Sequence, residues 1–203
     1  MNPADFEGRS YGGWGSPVEE ATIRALMEKA EADFSQVDMI TTGEADLLIV
    51  IEREADFAWI YYGWDGINAE LKGLELNFIE LKKLDPALDY YTPVLVTGET
   101  LAIEDPELIE RFMRATERGY LLAVESPELA AEALITHAPE LDEELVYASQ
   151  AWLADKFKSD AQQWGIQKEE TWTAYGKWLF EQGLIEEIPD FSQAFTNQFL
   201  RSR

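Results

Sequence analysis

The chain has 203 residues, of which 46% are apolar and 12% aromatic, so it can bury a hydrophobic core and is not expected to be disordered. Lysine and arginine number 16 against 40 aspartates and glutamates, and the formal net charge of −24 argues against nucleic acid or an anionic membrane as a partner. There is no cysteine, which excludes disulfides, thiolate catalysis and cysteine-ligated metals.

The first half of the chain alternates between short apolar segments and amphipathic ones. Strands are predicted over residues 9–14, 37–41, 56–62 and 76–81. Helices are predicted over residues 17–30, 44–53 and 65–72. This alternation predicts an α/β fold with right-handed crossovers, in a region that ends near residue 90.

The second half is predicted to be mainly helical. One more strand is expected over residues 91–97, YTPVLVT. Cap-and-proline signals and apolar periodicity then predict helices over residues 106–124, 127–137, 142–156 and 162–182. A less regular tail completes the chain.

The turn SYGGWGSPVEE, residues 10–20, is the first candidate for a binding site. Its glycines, Gly13 among them, allow a ligand to approach the backbone closely. Ser16 suits the N-cap of the following helix, and Glu19 completes a capping box. Trp14 lies in the loop itself, where packing alone seldom requires tryptophan. The alternative is an ordinary strand-to-helix turn with Trp14 folded onto the core.

A second aromatic cluster follows the third predicted strand and contains Trp59, Tyr61, Tyr62 and Trp64, with Asp65 next to it. In open α/β sheets, ligands bind beyond the carboxyl ends of the strands, so this cluster and Trp14 should line the same edge. Aromatic rings with one carboxylate suit a flat heteroaromatic cation or amine. The alternative is that Trp59 and Tyr61 belong to the core.

Six segments carry a resemblance to a known family, namely GGWGSPVEEATIRALMEKA, GEAD, DFAWIYYGWDGINAEL, LDYYTPVLVT, DPELIERFMRATERGY and FTNQFL. In this order they resemble the NMT1/THI5-like substrate-binding proteins, above all the binding components of ABC importers for thiamine pyrimidine precursors. The resemblance implies a type II periplasmic-binding-protein fold with two α/β lobes. Residues 5–87 would form lobe two, and residues 88–203 the return crossing strand and the helical remainder of lobe one. The N-terminal part of lobe one is expected to be missing.

The resemblance also implies a ligand, an aminopyrimidine bound without turnover, and a transporter permease as partner. Asp65 is the first choice to pair with the amino edge of the ring and Glu19 the second, because a carboxylate can accept two hydrogen bonds side by side. Tyr62 and Trp64 would stack on the ring, and Ser16 would hold a polar substituent. The implied ligand-binding residues are Gly13, Trp14, Ser16, Glu19, Tyr61, Tyr62, Trp64, Asp65 and Tyr90. The family implies a periplasmic or cell-surface location, whereas the chain as written would be cytoplasmic.

Two other functions are considered. The eukaryotic branch of the family makes the pyrimidine with a cysteine-rich motif, which this sequence lacks, so no catalytic residue, metal site or cofactor is predicted. The single histidine, His137, lies at a predicted helix end, where a capping or surface role is expected. Alternatively, the chain is an interaction fragment that forms a homo-oligomer, or needs a partner, to cover the faces left open by missing strands.

Overall fold

The computed structural model describes residues 2–43, 47–53 and 55–200, with the side chains of residues 47, 52 and 53 excepted. The strands are β1 (Ser10–Gly13), β2 (Asp38–Thr41) and β3 (Phe57–Ala58). The α-helices are α1 (Pro17–Lys29), α2 (Leu47–Arg53), α3 (Ile67–Leu71), α4 (Leu81–Leu84), α5 (Glu99–Glu104), α6 (Pro106–Glu125), α7 (Pro127–His137), α8 (Glu143–Leu153) and α9 (Glu169–Glu181). The start of the predicted helix over residues 44–53 and most of the GEAD motif lie outside the described residues.

The described strands form a parallel sheet in the order β2–β1–β3, which confirms the mixed α/β class. Tyr11 on the central strand is paired with Met39 on one side and Phe57 on the other. Helix α2 packs closely on β1, since a Cβ atom at Gly12 would lie 2.5 Å from a Val50 methyl carbon. Glycine at this position therefore allows the helix to contact the sheet directly.

Helix α1 begins where its local sequence predicts. Ser16 is the N-cap, and its hydroxyl accepts a hydrogen bond from the backbone N–H of Val18 at 3.3 Å. Glu19 accepts the N–H of Ser16 at 2.7 Å, which confirms the capping box. Two apolar clusters flank the helix, one with Ala21, Ala25, Leu26, Leu88 and Trp178, the other with Phe6, Tyr11, Ile23 and Met27.

Three predicted strands need correction. The strand expected over residues 56–62 is reduced to Phe57–Ala58, because the chain enters a π-helical turn at Tyr62–Gly66. Residues 76–80 form no strand, and the segment is held by side chains, with Phe78 against Tyr62 and Ile79 against the second apolar cluster. Residues 91–97 form no strand either, and Pro93 among them has no N–H for a ladder. Apolar character alone does not make a strand where a neighbouring strand is absent.

The helices of the second half agree better with the sequence. Helix α7 has the bounds that were predicted, and α6 differs by one residue at its end. The Asp105 side chain caps α6 by accepting the N–H of Leu108 at 3.0 Å, and Asp142 caps α8 by accepting the N–H of Leu145 at 2.9 Å. Helix α9 begins only at Glu169, later than expected, and the short helix α5 was not predicted.

The chain divides into two compact units. The first unit contains Met1–Tyr90 and Thr173–Pro189, and its core consists of the two clusters that flank α1. The second unit contains Tyr91–Trp172 and Asp190–Arg203. Within it, Tyr120 stacks on Trp164, and Trp172 stacks on Phe195. The segment Thr173–Pro189 was expected to belong with the second region, but it packs with the first unit. The assignment of the two lobes stays a prediction.

Candidate ligand-binding site

The first unit contains an open cleft of about 590 Å³ at the carboxyl edge of the parallel sheet. Residues that end or follow all three strands reach it, as expected for ligand sites in α/β folds. The lining consists of Gly12, Gly13, Trp14, Thr42, Gly43, Leu48, Val50, Ala58, Trp59, Tyr61, Trp64, Asp65 and Asn68. The two stretches singled out in the sequence thus meet in one place.

Aromatic rings form much of the cleft wall. Trp14 is 46% exposed, Tyr61 59% and Trp64 37%, so these three side chains are not core residues. Trp59 is half-buried, and its ring lies 5.9 Å from that of Trp14 at an angle of 59°. Exposed aromatic faces grouped around a cleft are suited to stacking on a flat ring.

Asp65 is the only charged residue among the described residues that line the cleft. It lies in the π-helical turn Tyr62–Gly66, and its Oδ2 accepts a hydrogen bond from the backbone N–H of Tyr61 at 2.9 Å. This bond orients the carboxylate and leaves its remaining lone pairs for another donor. The described lining of the cleft therefore combines several aromatic faces with the carboxylate of Asp65.

Four of the residues predicted for the site do not line the cleft. Ser16 caps α1, and Glu19 is buried beneath the glycine turn. The hydroxyl of Tyr62 donates to Glu70, a bond that raises the pKa of this phenol, and its ring contacts Phe78. Tyr90 stacks on Tyr175 at a ring-centroid distance of 4.0 Å. The five that do line the cleft are Gly13, Trp14, Tyr61, Trp64 and Asp65.

Sequence reasoning missed other lining residues, notably Thr42 and Asn68. Thr42 directly follows β2, and both its N–H and its hydroxyl bond to the carbonyl of Gly13, at 2.8 and 3.2 Å. The rule that pointed to β1 and β3 applies equally to the carboxyl end of β2 and could have found Thr42. Asn68 lies three residues after Asp65, so it shares the same side of the helical turn.

The described residues contain neither a cluster suited to a metal ion nor a helix suited to a membrane. Within residues 2–43, 47–53 and 55–200, no group of three or more histidine, aspartate or glutamate residues is placed to hold a metal ion. None of the helices in the described part of the chain is both long and apolar enough to cross a membrane.

Comparison with known proteins gives the family. The profile of the NMT1/THI5 like family matches residues 1–130, which is more than half of the chain. The chain belongs to the NMT1/THI5-like family. The resemblance carried by the glycine turn, the YYGWD segment and the following helices is thereby confirmed.

Two curated relatives are similar to this chain. A formylaminopyrimidine-binding protein of Halalkalibacterium halodurans is 28% identical over 205 residues, covering 97% of this chain and 61% of the relative. A 4-amino-5-hydroxymethyl-2-methylpyrimidine phosphate synthase of Legionella pneumophila is 31% identical over 100 residues, covering 49% of this chain and 30% of the relative. The chain thus spans less than two thirds of the length of either relative.

Proposed function

We propose that this chain binds a thiamine-related aminopyrimidine in the cleft of the first unit, without chemical turnover. The observation that carries the proposal is the convergence of Trp14, Tyr61 and Trp64 with Asp65 at one sheet edge, in a member of the NMT1/THI5-like family. The name of the Halalkalibacterium relative supports the same ligand class. On this proposal the chain serves an ABC importer, at the periplasmic or outer cell surface, together with a transporter permease.

The chemistry of recognition follows from the cleft. A 4-aminopyrimidine, when protonated on the ring nitrogen beside the amine, presents two N–H donors to the two acceptor sites of a carboxylate. Asp65 would accept them while the N–H of Tyr61 keeps its orientation. Trp14, Tyr61 and Trp64 would cover the ring faces. The net charge of −24 favours a cationic over an anionic ligand.

The fold on this proposal is that of a type II periplasmic binding protein. Residues 5–87 would be lobe two, and residues 88–203 the return crossing and the helical remainder of lobe one. The mixed composition of a small parallel sheet and many helices is compatible with a periplasmic-binding-protein-like fold, and the assignment of the lobes is part of the proposal.

The test is calorimetric titration with a formylaminopyrimidine and with 4-amino-5-hydroxymethyl-2-methylpyrimidine. In the Asp65→Asn variant we expect affinity to fall by at least ~10-fold, because a charge-assisted hydrogen bond is lost. Asp89→Asn is the matched control, since Asp89 is exposed and outside the cleft. A pyrimidine without the 4-amino group should bind wild type and Asp65→Asn alike. Equal affinity of wild type and Asp65→Asn for the aminopyrimidines, or no binding by wild type, would overturn the proposal.

A synthase is the alternative that the Legionella relative supports. Because a synthase of this name forms the pyrimidine phosphate, it is tested by incubating the protein with a cell metabolite extract and measuring newly formed 4-amino-5-hydroxymethyl-2-methylpyrimidine phosphate by mass spectrometry. No new pyrimidine phosphate supports binding without turnover, whereas its formation supports the synthase.

We also propose self-association through the segment 91–97 of the second unit. Its apolar side chains are exposed, Val94 to 38%, Leu95 to 53% and Val96 to 89%. Because the sequence of this segment is also typical of a strand, it is suited to pair with the same segment of a second copy. We expect a concentration-dependent mass in light scattering at moderate salt, which Val96→Glu abolishes. Ile188→Glu is the control, because Ile188 is exposed but lies in the first unit. A monodisperse monomer at high concentration would contradict the proposed self-association.

A further inference from the structure

The carboxylate of Glu19 is buried under the glycine turn. The residue is 1% exposed, although it carries a charge and lies next to an open cleft. Its Oε1 accepts hydrogen bonds from the hydroxyl of Tyr11 at 2.5 Å and from the backbone N–H of Trp14 at 3.2 Å. Its Oε2 accepts the N–H of Ser16 at 2.7 Å. A buried carboxylate is stable only with such partners, and its position in the first turn of α1 adds the favourable helix dipole.

Gly13 and Tyr11 lie in close contact with the Glu19 carboxylate. A Cβ atom on Gly13 would lie 2.2 Å from Glu19 Oε1 and 2.4 Å from the ring of Tyr11, so only glycine lets the turn lie against this pair. Tyr11 is 2% exposed, and its burial, together with the hydrogen bond to Glu19, strongly raises the pKa of the phenol. The hydroxyl therefore keeps its proton and remains a donor.

This network determines what the turn can offer to a ligand. The N–H groups of Trp14 and Ser16 point to Glu19, and the N–H of Val18 points to the Ser16 hydroxyl. These donors are used within the protein. Of these residues, Trp14 presents its exposed ring to the cleft, so charged hydrogen bonding to a ligand falls to Asp65 on the opposite stretch, with the amide of Asn68 beside it.

We propose that Glu19 is a positioning residue. It holds the turn at Gly13–Trp14 and thereby fixes the Trp14 ring at the cleft, while Glu19 itself does not contact the ligand. The consequence for affinity rests on the proposed function, but the positioning of Trp14 does not. The glycine turn then acts as a rigid aromatic wall, and selectivity among pyrimidines is determined by Asp65. Pre-organisation of this kind raises affinity because less freedom is lost on binding.

The experiment uses the full chain labelled with 5-fluorotryptophan, and the fluorine resonance of Trp14 is assigned with Trp14→Phe. In Glu19→Gln one amide hydrogen faces a backbone donor, so we expect the Trp14 resonance to shift while that of Trp178, in the core, stays in place. Tyr11→Phe, which keeps the buried ring and removes one donor, should shift the same resonance. Glu20→Gln is the control, since Glu20 pairs with Arg24 on the exposed side of α1.

The affinity for 4-amino-5-hydroxymethyl-2-methylpyrimidine is measured on the same samples, and we expect it to fall roughly 10-fold in Glu19→Gln. An unshifted Trp14 resonance in folded Glu19→Gln and Tyr11→Phe would overturn the positioning role. If wild type binds, an unchanged affinity in Glu19→Gln would do the same. If wild type binds no pyrimidine, the proposed function fails, and the ligand-free spectra alone decide the role of Glu19.

Discussion

At the scale of single residues, helix α1 contains two buried polar side chains with opposite surroundings. Glu19 and Thr22 are each 1% exposed. Three donors satisfy the Glu19 carboxylate, whereas the Thr22 hydroxyl has no hydrogen-bond partner among the described residues. Burying a hydroxyl without a partner is unfavourable. Glu19 therefore organises its neighbourhood, while Thr22 is a weak point of the core.

We predict that Thr22→Val stabilises the protein by about 1 kcal/mol, because valine has nearly the same shape without the unpaired hydroxyl. The free energy of unfolding from urea titration measures this. Thr116→Val is the control, since the hydroxyl of Thr116 donates to the carbonyl of Phe112 at 3.0 Å and its loss should give no gain. A Thr22→Val protein that is less stable than wild type would contradict the account.

At the scale of elements, an ion pair joins the end of α1 to the turn at Pro86–Leu88. Lys29 lies in the last turn of the helix and donates to the carboxylate of Asp85. Asp85 is 7% exposed and also caps the turn by accepting the N–H of Ala87 at 2.9 Å. Burial by itself raises the pKa of Asp85, but the bonds from Lys29 and Ala87 outweigh it, and the pKa is lowered from its ordinary value of 3.8.

We predict that Asp85→Asn costs roughly 1 kcal/mol at pH 7, a value reduced by the half-exposed position of Lys29. Because the pKa is lower in the folded than in the unfolded state, the contribution is complete above pH 3.8 and is lost as the pH falls through the folded value. Unfolding of wild type and variant between neutral and acid pH measures this.

The control for this prediction is Asp89→Asn. Asp89 is exposed, and its Oδ1 lies 3.9 Å from the Nζ of Lys82. Replacing it should therefore change the free energy of unfolding little at any pH. A difference between wild type and Asp85→Asn that persists unchanged in acid would show that packing, and not the charge, makes Asp85 important.

At the scale of the whole molecule, the charge is the dominant feature. Forty acidic side chains against 16 basic ones leave a net charge of −24, so the negative charges of the folded chain repel one another. The described residues that line the candidate cleft belong to the first unit, and one of them, Asp65, is a carboxylate. The charge therefore acts on overall stability and on association, while recognition depends on local contacts.

We predict that salt stabilises this protein. Raising NaCl from roughly 0.01 M to 0.1 M shortens the screening length from about 30 Å to 10 Å, so the repulsion weakens and Tm should rise by a few degrees. Thermal unfolding followed by circular dichroism measures this at pH 7. In acid solution, where protonation reduces the negative net charge, the salt effect should be much smaller. A Tm that falls with NaCl at pH 7 would contradict the prediction.

Local signals in the sequence were sufficient for the starts of α1, α6 and α7, although not for α5 or for the start of α9. Ser16, Pro17 and Glu19 lie within four residues and determine the start of α1, and Pro127, in the first turn, marks the start of α7. Caps and prolines act through neighbouring backbone groups, so no distant residue is needed to read them. The family, too, could be identified from the order of a few segments, and the profile match confirms it.

The tertiary structure alone decided which residues meet. Residues 76–80 and 91–97 have strand character, yet neither forms a strand, because a strand exists only when a neighbour completes its hydrogen bonds. Strand alternation cannot show that a π-helical turn sends Tyr61 and Trp64 to the cleft and Tyr62 to Phe78. Nor can it show that Glu19 is enclosed by Tyr11. These outcomes depend on contacts between distant parts of the chain, which local sequence does not encode.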